Sequence, residues 1–214
     1  MKKILLTVLF LLLSLVLFAC GSEAEGEEDA QNSEESTEEE NKGNTEEQTE
    51  DSESPQPGET EETEDGTRTL HRMWEEGETF ETGPIVLTID KIATAEASFE
   101  GETADMLETD HIEYIQVDVS VENTSENDVT FYAGQGRMAT STGEQIEPDL
   151  WLSGHIDGEM MAGTKANDTF YYMLENSEAE EVESVRLVFS APYDSESYDD
   201  LGEELDFEIE LPKE

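Results

Sequence analysis

Cysteine is nearly absent from this chain, because Cys20 is the only one in 214 residues. A single thiol allows no intrachain disulfide, and a cysteine pair for redox chemistry is excluded. Histidine is also rare: His71, His111 and His155 lie far apart and lack the His-Glu-x-x-His spacing of zinc hydrolases. The sequence therefore predicts no metal site and no cofactor.

Positive charge is scarce as well. There are 10 Lys and Arg against 57 Asp and Glu, which gives a net charge of −47 at pH 7. Residues 22–66 carry 20 acidic side chains and one basic one, and residues 67–214 carry 37 and 7. With no basic patch to neutralise phosphates, nucleic acid is excluded as a partner. Such acidity is typical both of salt-adapted proteins, since salt screens the repulsion, and of acidic surface proteins from alkaline habitats.

Catalytic motifs are missing too. The chain has no Gly-x-Ser-x-Gly elbow, no Ser-x-x-Lys and no phosphate-binding glycine loop. Acidic residues are so common that a pair of carboxylates beside a cleft carries no information. A metal site at His111, with Asp110 and Glu113, would require the fold to bring His155 close. We therefore predict no catalytic residues and no enzymatic activity.

The N-terminus resembles a bacterial lipoprotein signal peptide. Lys2 and Lys3 precede an apolar run from Ile4 to Phe18, and Leu17-Phe18-Ala19-Cys20 resembles a lipobox. The run of about 16 residues is shorter than the roughly 20 needed for a transmembrane helix. Residues 1–19 are predicted to be the signal peptide, and we expect the chain to be cleaved before Cys20. A diacylglycerol thioether on Cys20 would then hold the protein in membrane lipid, at the outer face of the bacterial cytoplasmic membrane.

Residues 20–66 begin with the lipidated cysteine and continue as an acidic tract rich in Glu, Ser, Thr, Asn, Gln and Gly. Almost no apolar side chain is available to offset the entropy of ordering, so this segment is predicted to be a disordered linker. A flexible chain of this length reaches roughly 37 Å, and repulsion between its carboxylates extends it. We expect it to act as a spacer between the membrane and a domain.

Residues 67–214 are predicted to form one all-β domain. Short runs alternate between apolar and polar residues and are separated by Gly, Asn, Asp and Pro, which is typical of antiparallel strands. The inward-facing positions are Ile85, Leu87, Ile89, Ile115, Val117, Val119, Val121, Val129, Phe131, Phe170, Tyr172, Leu174, Val185, Leu187, Phe189, Phe207, Ile209 and Leu211. One polar face on each strand predicts two sheets packed as an antiparallel β-sandwich, with a barrel as the alternative. Ala95 to Leu107 is expected to be a loop rather than a short helix.

Several segments of this domain resemble a known family, the DUF4352 domains, which are immunoglobulin-like domains of unknown function common in Gram-positive lipoproteins. The similar segments are Gly77–Phe80, Ile85–Ile89, Tyr114–Ser125 with its final Asn-Thr-Ser, the turns Thr142–Glu144 and Met161–Thr164, and the aromatic run Phe170–Tyr172. The resemblance implies an immunoglobulin-like β-sandwich, similar to that of a mycobacterial secreted immunoprotective antigen. It implies no catalytic residues.

Flat aromatic side chains suggest where such a domain could bind. Trp74, Tyr132, Tyr171 and Tyr193 are expected mainly to pack in or over the sandwich, whereas Trp151 lies in a segment rich in turn residues and is the best exposed candidate for ligand contact. We therefore expect a non-enzymatic module that binds an unidentified protein or cell-wall partner. The alternative is a structural or stress-related acidic surface protein adapted to high salt.

Overall fold

The computed structural model describes residues 55–212. The predicted signal peptide 1–19, the lipidated Cys20 and the predicted linker up to residue 54 lie outside the described residues. In chain order the strands are β1 Thr60–Thr63, β2 Gly66–Trp74, β3 Glu78–Thr82, β4 Ile85–Phe99, β5 His111–Asn123, β6 Val129–Thr130, β7 Arg137–Thr140, β8 Gln145–Ile146, β9 Glu159–Met160, β10 Lys165–Leu174, β11 Ser184–Phe189, β12 Tyr193–Asp194 and β13 Leu205–Glu210. One α-helix, α1 Gly101–Leu107, and two 3-10 turns, Ala133–Gln135 and Ala179–Glu181, complete the elements of this part.

The strands form an antiparallel β-sandwich. One sheet has the order β1-β2-β4-β5-β10, with β3 paired to β4, and a second has the order β13-β11-β7-β8. A small third sheet joins β12, β6 and β9. The two larger sheets bury a shared apolar core between them. The predicted sandwich is confirmed, and within residues 55–212 the sheets are open, so the alternative of a closed barrel is wrong for this part of the chain.

The strand patterns determine this core directly. Val117, Val119 and Val121 of β5 point inward and are at most 2% exposed, while Asp118 and Ser120 between them face the other side of the sheet. The remaining predicted inward residues are also buried, except for Phe207, which is half-buried against Phe80 with the two rings stacked. Each fully buried aliphatic side chain contributes roughly 1.5–3 kcal/mol, so the alternation is enough to select which face of each strand is buried.

The prediction of a loop over Ala95 to Leu107 is wrong. The strand β4 continues to Phe99 because Ala95 and Ala97 pair with Tyr114 and Ile112 of β5 and join a second apolar cluster on the outer face of the sheet. The helix α1 then follows and ends at Glu108, which adopts a left-handed conformation with φ of 57°. Within residues 55–212, no helix is both long and apolar enough to cross a bilayer.

The β structure begins before Thr67, the predicted start of the domain. The strand β1 pairs with β2 in register, with Thr60 opposite Thr69 and their hydroxyl oxygens 2.9 Å apart. At the other end of β2, Gly66 has a φ of 150°, and a Cβ there would lie 1.9 Å from the carbonyl oxygen of Ser98. This close approach requires glycine, and it ties the segment before Thr67 to β4.

The acidic surface leads to a prediction about salt. Only five Lys or Arg side chains form ion pairs with carboxylates within residues 55–212, so most carboxylates there have no basic neighbour. Raising NaCl from about 0.1 to about 1 M shortens the Debye length from roughly 10 to 3 Å. We expect the free energy of unfolding to rise by about 2 kcal/mol. This corresponds to a rise of roughly 4–8 °C in the melting temperature.

This rise is to be measured by circular dichroism with a chelator present, using chloride because sulfate also strengthens hydrophobic burial. A melting temperature that stays flat or falls would mean that the charges are compensated by other means. In that case the interpretation as a salt-adapted protein is wrong.

Candidate functional site

The loop between β8 and β9 exposes three consecutive apolar side chains. Leu150, Trp151 and Leu152 have exposed fractions of 87%, 95% and 40%, whereas the other tryptophan, Trp74, is 8% exposed in the core. We call residues 149–154 the Trp151 loop. Single exposed apolar residues are ordinary, but a contiguous set containing a tryptophan is typical of an interaction surface.

The conformation of the Trp151 loop is fixed by hydrogen bonds. The carboxylate oxygen Oδ1 of Asp149 accepts the backbone N–H groups of Trp151 at 2.8 Å and Leu152 at 2.9 Å. The Ser153 N–H donates to the Asp149 carbonyl at 3.1 Å and closes a single turn. Such Asx turns are a standard way for aspartate to organise a loop. The exposed side chains are therefore presented on an ordered backbone.

The same loop is fastened to β10. The Asp149 N–H donates to the Tyr171 carbonyl at 2.7 Å, and the Gly154 N–H donates to the Thr169 carbonyl at 2.8 Å. Between them, the Tyr171 N–H donates to the hydroxyl of Ser153 at 2.9 Å. These bonds place Leu150, Trp151 and Leu152 beside the outer face of the six-stranded sheet.

An apolar groove of about 320 Å³ lies on that outer face, next to the loop. Its floor is part of the second apolar cluster, in which the small side chain of Ala97 lies between the larger Phe99, Ile112 and Tyr114. The lining residues are Thr63, Thr67, Arg68, Ala97, Phe99, Ile112, Tyr114, Leu152, Tyr171 and Met173. Because Leu152 belongs to both features, the groove and the Trp151 loop form one continuous surface.

Arg68 is the basic residue of this groove. Its Nε is buried and has no hydrogen-bond acceptor among residues 55–212, and its Nη1 lies 3.6 Å from the Glu61 carboxylate. Burial raises the pKa of the Tyr114 hydroxyl above its usual range, so this group stays protonated, although the Arg68 guanidinium opposes the shift. An unpaired buried N–H costs roughly 1–3 kcal/mol. The Arg68 side chain as a whole is 27% exposed, so its outer N–H groups are within reach of an oxygen acceptor on a ligand.

On the other side of the loop, Leu150 contributes to a recess of about 240 Å³. Tyr132, Pro148 and Phe170 also line this recess. Tyr132 departs from the expectation that it packs in or over the sandwich, because it is 41% exposed and its hydroxyl lies 3.3 Å from that of Tyr193. Leu150 and Leu152 thus point to different recesses, with Trp151 between them.

The fold does not bring His155 close to His111, which was the condition for a metal site at His111. The His155 N–H donates to Asp168, which pairs with Val119 of β5. Val119 is eight residues along that strand from His111, which is roughly 26 Å at about 3.3 Å per residue. His155 instead contacts Asp157 at 3.0 Å.

His111 does lie beside Glu113, with 2.9 Å between its Nε2 and a carboxylate oxygen. His71 also lies near Glu113, together with Glu96, and sequence reasoning missed this second cluster. One potential ligand atom from each of His71, Glu96 and Glu113 lies within 4.8 Å of the others. The cluster is formed by the register of three strands, β2, β4 and β5, and a single sequence does not reveal that register.

The fold places this chain in a structural class that contains other bacterial proteins. The chain is an antiparallel β-sandwich that resembles the solved structure of a functionally unknown protein from Listeria monocytogenes EGD-e, with a TM-score of 0.50 and 13% identity, over 70% of this chain and 89% of that one. The mycobacterial secreted protein MPT63 gives a TM-score of 0.32 at 15% identity, over 63% of this chain and 92% of that one. No family model matches the chain, so that comparison does not support membership in the DUF4352 group.

Sequence similarity to one bacterial lipoprotein establishes the family of this chain. The chain is 31% identical over 156 residues to the SPbeta prophage-derived uncharacterized lipoprotein YonS of Bacillus subtilis (strain 168), a match that covers 72% of this chain and 71% of YonS. The chain belongs to the same family as this lipoprotein.

Proposed function

We propose that this protein is a lipoprotein anchored through acyl chains on Cys20 at the outer face of the bacterial cytoplasmic membrane, where its domain binds a polypeptide partner without catalysis. Its family includes a lipoprotein, YonS, and the segment before Cys20 has the composition of a lipoprotein signal peptide. We propose also that the domain is a divergent relative of the DUF4352 group, on the motifs given above.

One observation carries the binding role: the ordered exposure of Leu150, Trp151 and Leu152 beside an apolar groove. Tryptophan and leucine side chains bury large areas on contact, and tryptophan is enriched among the residues that dominate binding energy. Since hydrogen bonds of Asp149 already fix the loop, little entropy is lost when a partner covers it.

Charge and hydrogen bonding specify the partner. Residues 67–214 carry 37 acidic and 7 basic side chains, so the domain attracts a basic surface and repels an acidic one. The groove accepts apolar side chains, and the exposed part of the Arg68 guanidinium at its wall matches a carbonyl oxygen. A polypeptide with apolar and basic side chains supplies all three features. We therefore favour a protein or peptide over a neutral sugar.

A defined probe tests this role on the full-length protein in non-ionic detergent. The probe is a synthetic peptide of alternating lysine and leucine, compared with a glutamate–leucine peptide of the same length. We expect the basic peptide to bind and to shield tryptophan fluorescence from acrylamide, and the acidic peptide not to bind. We expect Trp151→Ala to weaken binding of the basic peptide about 30-fold, which corresponds to about 2 kcal/mol.

The control variant is Met161→Ala, because Met161 is 66% exposed but lies outside the Trp151 loop. Both substitutions leave the net charge unchanged, so attraction of the basic peptide to the acidic surface is the same in each. Equal affinity for the wild type and the Trp151 variant, or an equal loss in both variants, would contradict the proposal.

A further inference from the structure

We propose that His71, Glu96 and Glu113 form a binding site for a divalent transition metal, with Zn²⁺ as the ion that the donors fit best. The three residues come from the neighbouring strands β2, β4 and β5 and are separate from the Trp151 loop. Imidazole nitrogen combined with carboxylate oxygen is a donor set that zinc uses widely, whereas Mg²⁺ and Ca²⁺ prefer oxygen alone.

The register of the sheet brings the donors together. Glu96 of β4 lies directly opposite Glu113 of β5. The pairing of β2 with β4 shifts between Leu70 and Arg72, so His71 is an extra residue in a β-bulge. A bulge redirects a side chain, and here the His71 Nε2 comes to 3.9 Å from the Glu96 carboxylate.

The spacing suits a small ion after minor side-chain adjustment. The three ligand atoms lie within 4.8 Å of one another. Ligand atoms at about 2.0–2.2 Å from a tetrahedral zinc ion are roughly 3.3–3.6 Å apart. Rotation of the glutamate side chains by small amounts closes that difference, and the strands themselves need not move.

The pairing of Glu96 with Glu113 is itself a reason to expect a cation. Like charges directly opposite each other on neighbouring strands are destabilising, and the two side chains are only 37% and 16% exposed. Within residues 55–212, no Lys or Arg forms an ion pair with either of them. Arg72 follows His71 in the sequence, but its guanidinium is engaged elsewhere. It donates to the Leu211 carbonyl at 3.0 Å and contacts Glu183 at 3.7 Å. A bound dication supplies the missing positive charge.

Neighbouring groups hold Glu113 in place. Its Oε2 accepts the Ala179 N–H at 2.8 Å, and its Oε1 lies 2.9 Å from the Nε2 of His111. Hydrogen-bonded partners of this kind orient a ligand and raise its affinity for the metal. His111 is 45% exposed at the rim of the cluster. We assign His111 as a positioning residue, which leaves the fourth coordination position to water or to a group from a partner.

Isothermal titration of the full-length protein with ZnCl₂ tests the site. Millimolar Mg²⁺ is kept present, because it saturates diffuse binding to the many exposed carboxylates. We expect one Zn²⁺ per chain, and at least a tenfold loss of affinity in His71→Ala and in Glu113→Gln, the lower end of the roughly 10–100-fold that a weakened metal site loses. Co²⁺ bound in place of Zn²⁺ should give the strong visible absorption of a four-coordinate site with a nitrogen ligand.

The matched control is His155→Ala. His155 also contacts a carboxylate, at 3.0 Å on Asp157, but no further ligand cluster includes it within residues 55–212. We expect this variant to bind Zn²⁺ like the wild type. Melting curves of the metal-free variants show whether each remains folded, and Glu96→Gln, which removes a repulsion, keeps the test valid if His71→Ala unfolds. Affinity that is equal in the wild type, His71→Ala and Glu96→Gln, or a weak octahedral Co²⁺ spectrum, would overturn the site.

Discussion

Replacing Cys20 by alanine should abolish lipid attachment entirely, because the chain contains no other thiol to accept diacylglycerol. Two acyl chains give stable membrane binding, and without the Cys20 thiol neither chain can be attached. We expect metabolic labelling with a palmitate analogue to mark the wild type and to leave the Cys20→Ala variant unlabelled.

Ser22→Ala is the control for this experiment, since it changes the same segment and keeps the thiol. Its labelling should equal that of the wild type. Label incorporated into Cys20→Ala would show that the lipobox interpretation is wrong, whatever the domain binds.

The second large effect concerns where the domain begins. A fragment of residues 67–214 should be less stable than a fragment of residues 55–214 by at least about 3 kcal/mol, or roughly 6–12 °C in melting temperature. The shorter fragment loses β1 and three backbone hydrogen bonds: the Gly58 N–H to the Leu70 carbonyl, the Leu70 N–H to the Glu59 carbonyl, and the Glu100 N–H to the Asp65 carbonyl. It also loses Thr63 from the wall of the apolar groove.

Both fragments are to be compared by circular dichroism and urea unfolding in one buffer, and both should show a β spectrum. Equal midpoints would mean that β1 adds nothing to the folding unit. The boundary at Thr67, which the alternation pattern predicts, would then be the correct one.

The difference between these two boundaries shows what a single sequence can and cannot reveal. The inner strands carry period-two alternation, so their buried residues, such as Ile115 and Val117, are predictable from hydrophobicity alone. The strand β1 has the sequence Thr-Glu-Glu-Thr and no apolar residue. It is held by backbone hydrogen bonds and a threonine pair with β2, which leave no hydrophobic signal.

The candidate sites divide in the same way. Turn residues around Trp151 mark it as lying in a loop, which a reader of the sequence can recognise, and its role in binding stays a prediction. The groove beside it depends on Ala97 near the end of β4, a segment that composition alone suggests is irregular. The cluster of His71, Glu96 and Glu113 depends on a bulge and on cross-strand register, and its members are up to 42 positions apart. No local pattern connects them.

The hydrogen bonds between the Trp151 loop and β10 have a consequence for association between chains. β10 is the last strand of its sheet, and an uncovered last strand is a template on which another chain can add a strand and begin to aggregate. Here the N–H of Tyr171 and the carbonyls of Thr169 and Tyr171 are already used by the loop. At the opposite border, β1 is only four residues long and carries Glu61 and Glu62. Copies crowded side by side on one membrane surface are thus kept from joining their sheets, by a covering loop at one border and by charge repulsion at the other.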